Sequence, residues 1–525
     1  MTTAASSRRR LKFWGWGFED QQPGSEALER AAVAAREHLG FGAEEVERPP
    51  QLEDVELSAP RLDPPDSLAH LCRTDTYERA AHAYGKSYRD LVRAYRGRFD
   101  HPPDLVAHPT DEVDLERMID WCAKMNAAAI PFGGGTSVVG GVEAALPGDY
   151  TGAVTIDLKL MDRVLDVDRA SRAARIQAGA TGPDLEAELK RHKLTLRHFP
   201  QSFEYSTLGG WIATRSGGHF ATLHTHIDDF VESIRALTPR GIWESRRLPG
   251  SGAGPSPDRM LIGSEGILGV ITEAWVRVQD VPGAQESAAV LFDGFDQGAR
   301  AVRALAQSRL FPTNCRLLDS DEAALTGAAP DAKALLVLGF EAPDGDLRPS
   351  LDQALEICRG EGGEPRERRG ESEGAWRDAF LRAPYVRDTL IAAGVLAETF
   401  ESAITWDRFD DFVAGVREHT HAALGEGTVT CRLTHVYPDG AAPYFTVLAP
   451  ARRGSELEQW EEVKAAASEA IVAAGGTITH HHAVGRDHRP WYDRQRPPPF
   501  AEALRAAKSA LDPTGILNPG VLIDP

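Results

Sequence analysis

The stretch that most constrains this chain is Pro131 to Val142, PFGGGTSVVGGV. Three consecutive glycines let the backbone turn sharply and bring bare N–H groups against a ligand. Thr136 and Ser137 add hydroxyls at the same place. An amide bonded to a charged oxygen is worth roughly 1.5–3 kcal/mol, so several converging amides suit a pyrophosphate. The spacing is neither the dinucleotide fingerprint G-x-G-x-x-G nor the Walker loop. An ordinary glycine-rich turn accounts for the same residues. Just before it, Asp111 to Asn126 places Leu115, Met118, Ile119 and Cys122 on one helical face, and Ala128 to Ile130 reads as a short strand.

Length and charge narrow the function classes. A chain of 525 residues has room for two to four domains. Its net charge of −20 argues against nucleic acid as a partner, although a local Arg and His cluster can still receive an anionic substrate. The five cysteines are Cys72, Cys122, Cys315, Cys358 and Cys431. Odd in number, scattered and without C-x-x-C, they imply neither a disulfide framework nor a zinc site and fit a reducing compartment. In SSRRRLKFWGWGFED, Glu19 and Asp20 arrive where a secretion signal needs an apolar stretch. No run approaches the ~20 apolar residues of a membrane span. The expected location is cytoplasmic.

In chain order, Glu26 to Leu39 has helical periodicity, Pro49 to Pro65 reads as a proline-rich linker, and Asp75 to Arg98 reads as one or two helices. Val154 to Leu158, Ala173 to Gly179 and Ser233 to Leu237 are short strands. Asp184 to His192 is a helix capped by Thr181, and Arg246 to Asp258 is a surface loop. Further on, Val290 to Phe292, Ala334 to Phe340, Thr428 to Tyr437 and Tyr444 to Leu448 read as strands. Ala299 to Gln307, Leu351 to Arg359 and Glu456 to Ala474 read as helices, and Gly360 to Glu373 as a charged, solvated excursion. The order suits an α+β fold with an antiparallel sheet covered by helices. In Thr479 to Gly485, THHHAVG, a strand would put His480 and His482 on one face and His481 on the other. As metal ligands the histidines lack a flanking Cys or carboxylate cluster, so no metal is expected.

Three segments carry a resemblance: IPFGGGTS from Ile130, HFPQSFEYSTLGGWIATRSGG from His198, and LIGSEGILGVITEA from Leu261. They are similar to the FAD-binding domain of the vanillyl-alcohol oxidase superfamily. Within it the chain resembles the alkyldihydroxyacetonephosphate synthase family from about Lys12 to the C-terminus. The resemblance implies an N-terminal helical segment over 1–98, a PCMH-type FAD-binding domain over 99–282, a substrate-covering cap over 283–498, and a C-terminal segment over 499–525 that returns to the FAD domain. It implies non-covalent FAD contacted by Pro131, Phe132, Gly133, Gly134, Gly135, Thr136 and Ser137; by Gln201, Ser202, Phe203, Glu204, Tyr205, Ser206 and Thr207; by Thr214, Arg215, Ser216 and Gly217; and by Glu265, Gly266, Ile267, Leu268, Gly269, Val270 and Ile271. The last segment reads equally as a turn entering a buried strand. Trp14 and Trp16 match an N-terminal segment of the family and read as anchors for the arm.

For chemistry, the resemblance implies exchange of the acyl chain of acyl-dihydroxyacetone phosphate for a fatty alcohol, through a bond from flavin N5 to the substrate carbon and with no net redox change. Tyr444 matches the family's proton-moving tyrosine. A phenol near pKa ~10 is a poor base at neutral pH, so the role needs cationic neighbours. His480, His481 and His482 match its active-site histidines. Arg387 matches its phosphate-binding arginine, whose planar fork suits the group. Arg316 matches another arginine important for activity. The partners are thus a phospholipid-precursor substrate and a fatty alcohol, with room for peripheral membrane contact and a homodimer. Two departures stand out: Asn518-Pro519-Gly520 replaces asparagine–arginine–asparagine, and Ala483 replaces a glycine. The alternative on the same fold is an FAD-dependent dehydrogenase or oxidase of D-lactate- or glycolate-type 2-hydroxy acids. Those enzymes tend to show Gly-Glu-His-Gly here, and this chain has His481 where their Glu would be.

Overall fold

A computed structural model describes residues 9–328, 333–366 and 386–524. Three sheets organise them. The first holds β1 (Cys72–Arg73), β2 (Leu105–Ala107), β3 (Ala128–Phe132) and β4 (Ala153–Asp157) in the order β1-β2-β4-β3, with β2, β4 and β3 parallel. β4 is buried along its whole length and β3 at every residue but Pro131, as parallel strands covered on both faces must be. The helix Glu112–Met125 begins where the Asp111 side chain accepts the Asp114 amide and ends on Asn126 in the left-handed region. It buries Leu115, Met118, Ile119 and Cys122, the face read from the sequence.

The second sheet is antiparallel: β5 (Val164–Asp168), β6 (Ala173–Gln177), β7 (Val231–Thr238), β8 (Gly241–Glu244) and β9 (Val270–Arg277), in the order β5-β6-β9-β7-β8. Its apolar residues share one core with the first sheet. Ile516, Leu517 and Val521 join that core, and the backbone around Leu517 bonds to Ala129. The C-terminal segment thus packs on this lobe.

The cap is a third, antiparallel sheet. It contains β10 (Ala284–Phe292), β11 (Asn314–Leu318), β12 (Ala334–Ala342), β13 (Glu364–Pro365), β14 (Val395–Glu401), β15 (Ile404–Thr405), β16 (Thr428–Val436) and β17 (Gly440–Pro450). The order is β13-β10-β12-β11-β16-β17-β14, with β15 beside β17. The helices Phe295–Gln307, Arg348–Gly360, Phe409–Leu424 and Glu456–Ala473 cover one face. Outside a bulge in β16, side chains alternate: Cys315, Leu317, Cys431, Leu433, Phe445 and Val447 enter the helix-covered core, while Arg316, Arg432 and Tyr444 point the other way. β12 departs from alternation because it is buried on both sides, Leu336 and Leu338 under the helices and Leu335 and Val337 in a second cluster.

Residues 9–98 build no large core of their own. Phe13, Trp14, Trp16, Tyr84 and Tyr88 pack into the cap, and Leu62, Leu68, Leu71 and Cys72 into the flavin-side lobe. The stretch Pro49 to Pro65, read as a linker, is packed instead: Leu62 is buried and Arg61 clamps Asp104 through its amide and guanidinium. Of the excursion expected at 360–373, residues 367–373 lie outside the described ones. The five cysteines are buried free thiols. Among the described residues no helix is long and apolar enough to cross a membrane.

A buried ionic cluster ties the arm to β3 and β4. His82 meets Asp157 at 3.0 Å and packs its ring 4.5 Å from Phe132, His108 meets Glu78 at 3.1 Å, and Lys159 meets Asp157 at 3.1 Å. Burial alone would raise Glu78, but the His108 hydrogen bond and the charges of Lys159 and His82 pull it down to about 2; Asp157 is lowered in the same way. Carboxylates lowered on folding add stability that is complete above their unfolded pKa of ~4 and vanishes as pH falls toward the folded value. The cluster's share of stability, read as the urea midpoint of the wild type minus that of Asp157→Asn, should therefore hold down to about pH 4.5 and fall steeply between about pH 4 and 2. A difference that does not change with pH would show that the cluster carries no linkage.

Candidate functional site

β3 ends at Phe132, and the chain turns through the glycines. Among the described residues the amides of Gly133, Gly134, Gly135, Thr136 and Ser137 have no acceptor in the protein. The loop is held from behind. The Ser137 carbonyl accepts the Lys86 amide at 2.6 Å, and Ser137 Oγ accepts the Gly141 amide at 3.0 Å. A Cβ on Gly134 would stand 1.9 Å from the Tyr205 carbonyl oxygen, so only glycine lets these two loops touch. Two clefts meet here, sharing Gly133, Ser137, Val142, Thr207, Gly210 and Thr214; the empty space in them, open solvent included, is about 1250 and 650 Å³. The unused amides are the donors a pyrophosphate needs.

The residues of the resemblance divide between these clefts. Gly133 to Ser137, Gln201, Ser202, Ser206, Thr207, Thr214, Ser216 and Gly217 line the larger. Pro131, Phe132, Glu265, Gly266, Gly269, Val270 and Ile271 line the smaller. Six residues read as flavin contacts line neither. Ile267 and Leu268 are core residues. Tyr205 packs against Trp16 and Phe18, Phe203 against Phe199, and Glu204 is exposed. Arg215 is committed to Asp228, with Nε and Nη2 at 3.0 and 2.8 Å. Trp16 anchors the arm, its amide bonded to Asp388, and also forms part of the larger cleft's wall.

The opposite wall is the bare face of the cap sheet. Arg432 on β16 stands directly across from Tyr444 on β17, and Tyr444 across from Glu401 at the end of β14. Opposed residues share a face, so one rung carries a cation, a phenol and a carboxylate. The Arg432 guanidinium lies 3.9 Å over the Tyr444 ring and also pairs with Glu322. Arg387, its Nη2 donating to Thr399 at 2.7 Å, and Arg316, its Nη2 donating to the His219 carbonyl at 3.1 Å, line the same cleft. Burial, with Arg432 close by, pushes Arg316 down to about 9. Arg432 had no sequence signal beyond alternation. His435 had less, because a bulge between Leu433 and His435 is what lets both Thr434 and His435 line the cleft.

The histidine segment is a loop, not a strand, and the expected alternation fails. The buried Glu401 carboxylate replaces a strand partner: it accepts the amides of His480 at 2.6, His481 at 3.0 and His482 at 2.9 Å, and the Thr479 hydroxyl at 2.6 Å. The loop's far end is held by the buried Glu265, whose carboxylate accepts the amides of Val484 and Gly485, both at 2.9 Å. Between them Ala483 sits at φ 71°, where the family's glycine would be unstrained and an alanine costs ~1 kcal/mol. His481 and His482 line the cleft beside Tyr444, whereas His480 turns away to the Tyr437 hydroxyl at 2.7 Å. Nitrogens of His435, His480 and His481 come within 4.8 Å of one another, so His435 supplies the third donor that no flanking residue offered.

Burial drives the imidazoles down. His435, His480 and His482 lie well below the ordinary histidine value, pushed there by desolvation and neighbouring rings. His481 is lowered too, because burial outweighs Glu401, whose Oε2 is 3.6 Å from its Nδ1. Burial opposes the charge of Glu401, but the imidazoles and the Thr479 hydroxyl outweigh it and hold the carboxyl well below its usual range. The wall is therefore a set of neutral bases and a phenol among guanidiniums.

Residues 103–245 match the family described as "FAD binding domain" and 281–522 the family described as "FAD linked oxidases, C-terminal domain". The alkyldihydroxyacetonephosphate synthase of Dictyostelium discoideum is 31% identical, covering 90% of this chain and 83% of its own. That of Trypanosoma brucei brucei is 30% identical over 86% of this chain and 78% of its own. A solved alkyldihydroxyacetonephosphate synthase superposes with a TM-score of 0.81 at 25% identity, covering 97% of this chain and 98% of that one. The cofactor is FAD.

Gly134→Ala should displace the loop and weaken FAD by at least ~10-fold, about 1.4 kcal/mol. Visible flavin absorbance per protein after gel filtration reads the loss. Gly24→Ala, where an added Cβ meets nothing within 4 Å, should retain the colour. Full flavin retention by Gly134→Ala would place the cofactor elsewhere.

Proposed function

The chain belongs to the alkyldihydroxyacetonephosphate synthase family, and from that premise we propose that it exchanges the acyl chain of an acyl-dihydroxyacetone phosphate for a fatty alcohol. The observation that carries the reading is the convergence of Arg316, Arg387 and Arg432 on the cleft that also holds Tyr444 and His481. Two buried guanidiniums repel each other, and a phosphate dianion relieves that repulsion while making charge-assisted bonds to both. Arg387 adds a fork held toward the cleft by Thr399. A phosphate held there leaves the carbon beside its ketone to the part of the wall formed by Tyr444 and His481.

Bound FAD supplies the electron-accepting ring at which the substrate carbon is held during the exchange. The chain's own residues do the rest. The arginines bind and orient the phosphate. Tyr444 moves the proton at the carbon beside the carbonyl, with the Arg432 guanidinium stacked 3.9 Å over its ring. His481 and His482 stand against that phenol. Gly217 lets the flavin lobe approach the histidine loop, since a Cβ there would lie 3.0 Å from His435 and 3.1 Å from His481. Because both substrates carry long chains, we place the reaction in the cytoplasm, at a membrane surface.

Incubation of the FAD-loaded protein with palmitoyl-dihydroxyacetone phosphate and hexadecanol should give the hexadecyl ether and free palmitate by mass spectrometry. No ether, with bleaching of the flavin by D-lactate or glycolate, would replace this reading with a 2-hydroxy acid dehydrogenase. Arg387→Lys, which loses the bidentate fork, should lower kcat/KM for the phosphate substrate by ~10–100-fold, mainly through KM.

A further inference from the structure

The three histidines are not equivalent, and the hydrogen bonds around them say which one is poised to accept a proton. The order can be read from a fixed point. His226 Nε2 lies 2.9 Å from the His480 carbonyl oxygen, which can only accept, so that nitrogen carries the proton. In the neutral ring Nδ1 is then bare, and it accepts from the Thr225 hydroxyl at 3.3 Å. Thr225 has spent its one proton, so at 3.0 Å it accepts from the Tyr437 phenol. The phenol oxygen in turn accepts from His480 Nε2 at 2.7 Å. His480 Nδ1 is therefore bare, and the 3.1 Å contact between the Nδ1 atoms of His480 and His481 requires His481 to be the donor.

We propose that Tyr437, Thr225 and His226 are positioning residues that, through His480, fix His481 as the Nδ1–H tautomer and leave its Nε2 lone pair as a proton acceptor beside Tyr444. Every member of the chain points its proton away from His481, and the chain closes on the carbonyl of His480. Burial keeps both rings neutral, so the tautomer is the only freedom left to them. A proton arriving at Nε2 makes an imidazolium whose Nδ1–H lies 3.6 Å from Glu401 Oε2, and the reverse transfer restores the neutral ring. No electrons move and no other reactant is needed. His482 has no such relay: its buried Nδ1 makes no hydrogen bond and lies 3.8 Å from Glu401 Oε1.

The tautomer stands on the hydrogen bonds alone; its use as a base rests on the transfer reaction read above. Nitrogen-15 NMR of the FAD-loaded full chain carrying labelled histidine, with His481 assigned through His481→Gln, reads the tautomer without any change to the relay. Nδ1 protonated and Nε2 bare is the expected result, and the opposite tautomer overturns the proposal. Tyr437→Phe and Thr225→Val should each mix the two tautomers and lower kcat by at least ~10-fold with KM nearly constant, whereas Thr225→Ser should restore both. Variants that retain flavin, wild-type kcat and a pure tautomer would overturn it. So would a stoichiometric transition metal in the purified protein that a chelator removes together with activity, because both Nδ1 atoms would then be ligands. If the tautomer is as expected and no ether forms, the transfer reading fails and the relay stands.

Discussion

The site depends on one buried carboxylate. Glu401 ends β14, and its two oxygens receive three successive backbone amides and a hydroxyl from the segment that follows Gly475 and Gly476. A carboxylate taken out of water costs several kcal/mol unless its lone pairs are met. A loop whose amides have no ladder partner carries a comparable penalty. Each solves the other's problem, which is why three imidazoles can crowd into one loop without a strand beneath them. Because Glu401, Tyr444 and Arg432 lie on one rung, the backbone hydrogen bonds of the cap sheet set the spacing between loop, phenol and guanidinium. No flexible tether intervenes.

The same loop belongs to both lobes. Glu401 holds its start from the cap, and Glu265, from the strand-entering turn of the flavin lobe, holds its end. Asn518 then bonds to the carbonyls of Gly141 and Glu265, tying the C-terminal segment to the loop's second anchor. Burial raises Glu265 to about 7, so its charge is less secure than that of Glu401, which collects more donors. The flavin-side clamp is thus the softer of the two. These bonds join the lobes, together with others such as those of Ala221 to Thr313 and Val436.

Much of the fold was legible. The face of Glu112–Met125, four of the cap strands and three of the cap's covering helices followed from periodicity, while β11, β14 and the helix Phe409–Leu424 were not read. The glycine loop announced a ligand through residues that no packing argument needs. What escaped depends on register. Arg432 sits in CRLTHV as one polar position of an alternating strand, and nothing local marks it as facing Tyr444 rather than solvent. His435 reaches the cleft only through a bulge, which adds a residue without leaving a sequence signature. Glu401 and Tyr437 are distant in sequence from the loop they serve. The strand pattern assumed for THHHAVG failed because a carboxylate 79 residues before His480 supplied the hydrogen bonds a neighbouring strand would have made. Arg215 looked like a ligand-binding cation, and was claimed by Asp228 from the next turn.

The electrostatics of the wall couple substrate to base. Arg316 and Arg432 both act to lower His481, behind burial and against Glu401. A phosphate dianion seated between those guanidiniums cancels their field at the imidazole, and the Glu401 carboxylate then acts on His481 with less opposition. His481 is accordingly a stronger base with the phosphate in place than in the empty cleft. On the proposed transfer reading, the proton that Tyr444 moves then meets a stronger acceptor in the wall only once the correctly charged end of the molecule has docked. On that proposed reading, specificity for a phosphorylated ketone and a more basic His481 would follow from the same two arginines. A neutral ketone of identical shape would occupy the cleft and leave the imidazole as the burial makes it.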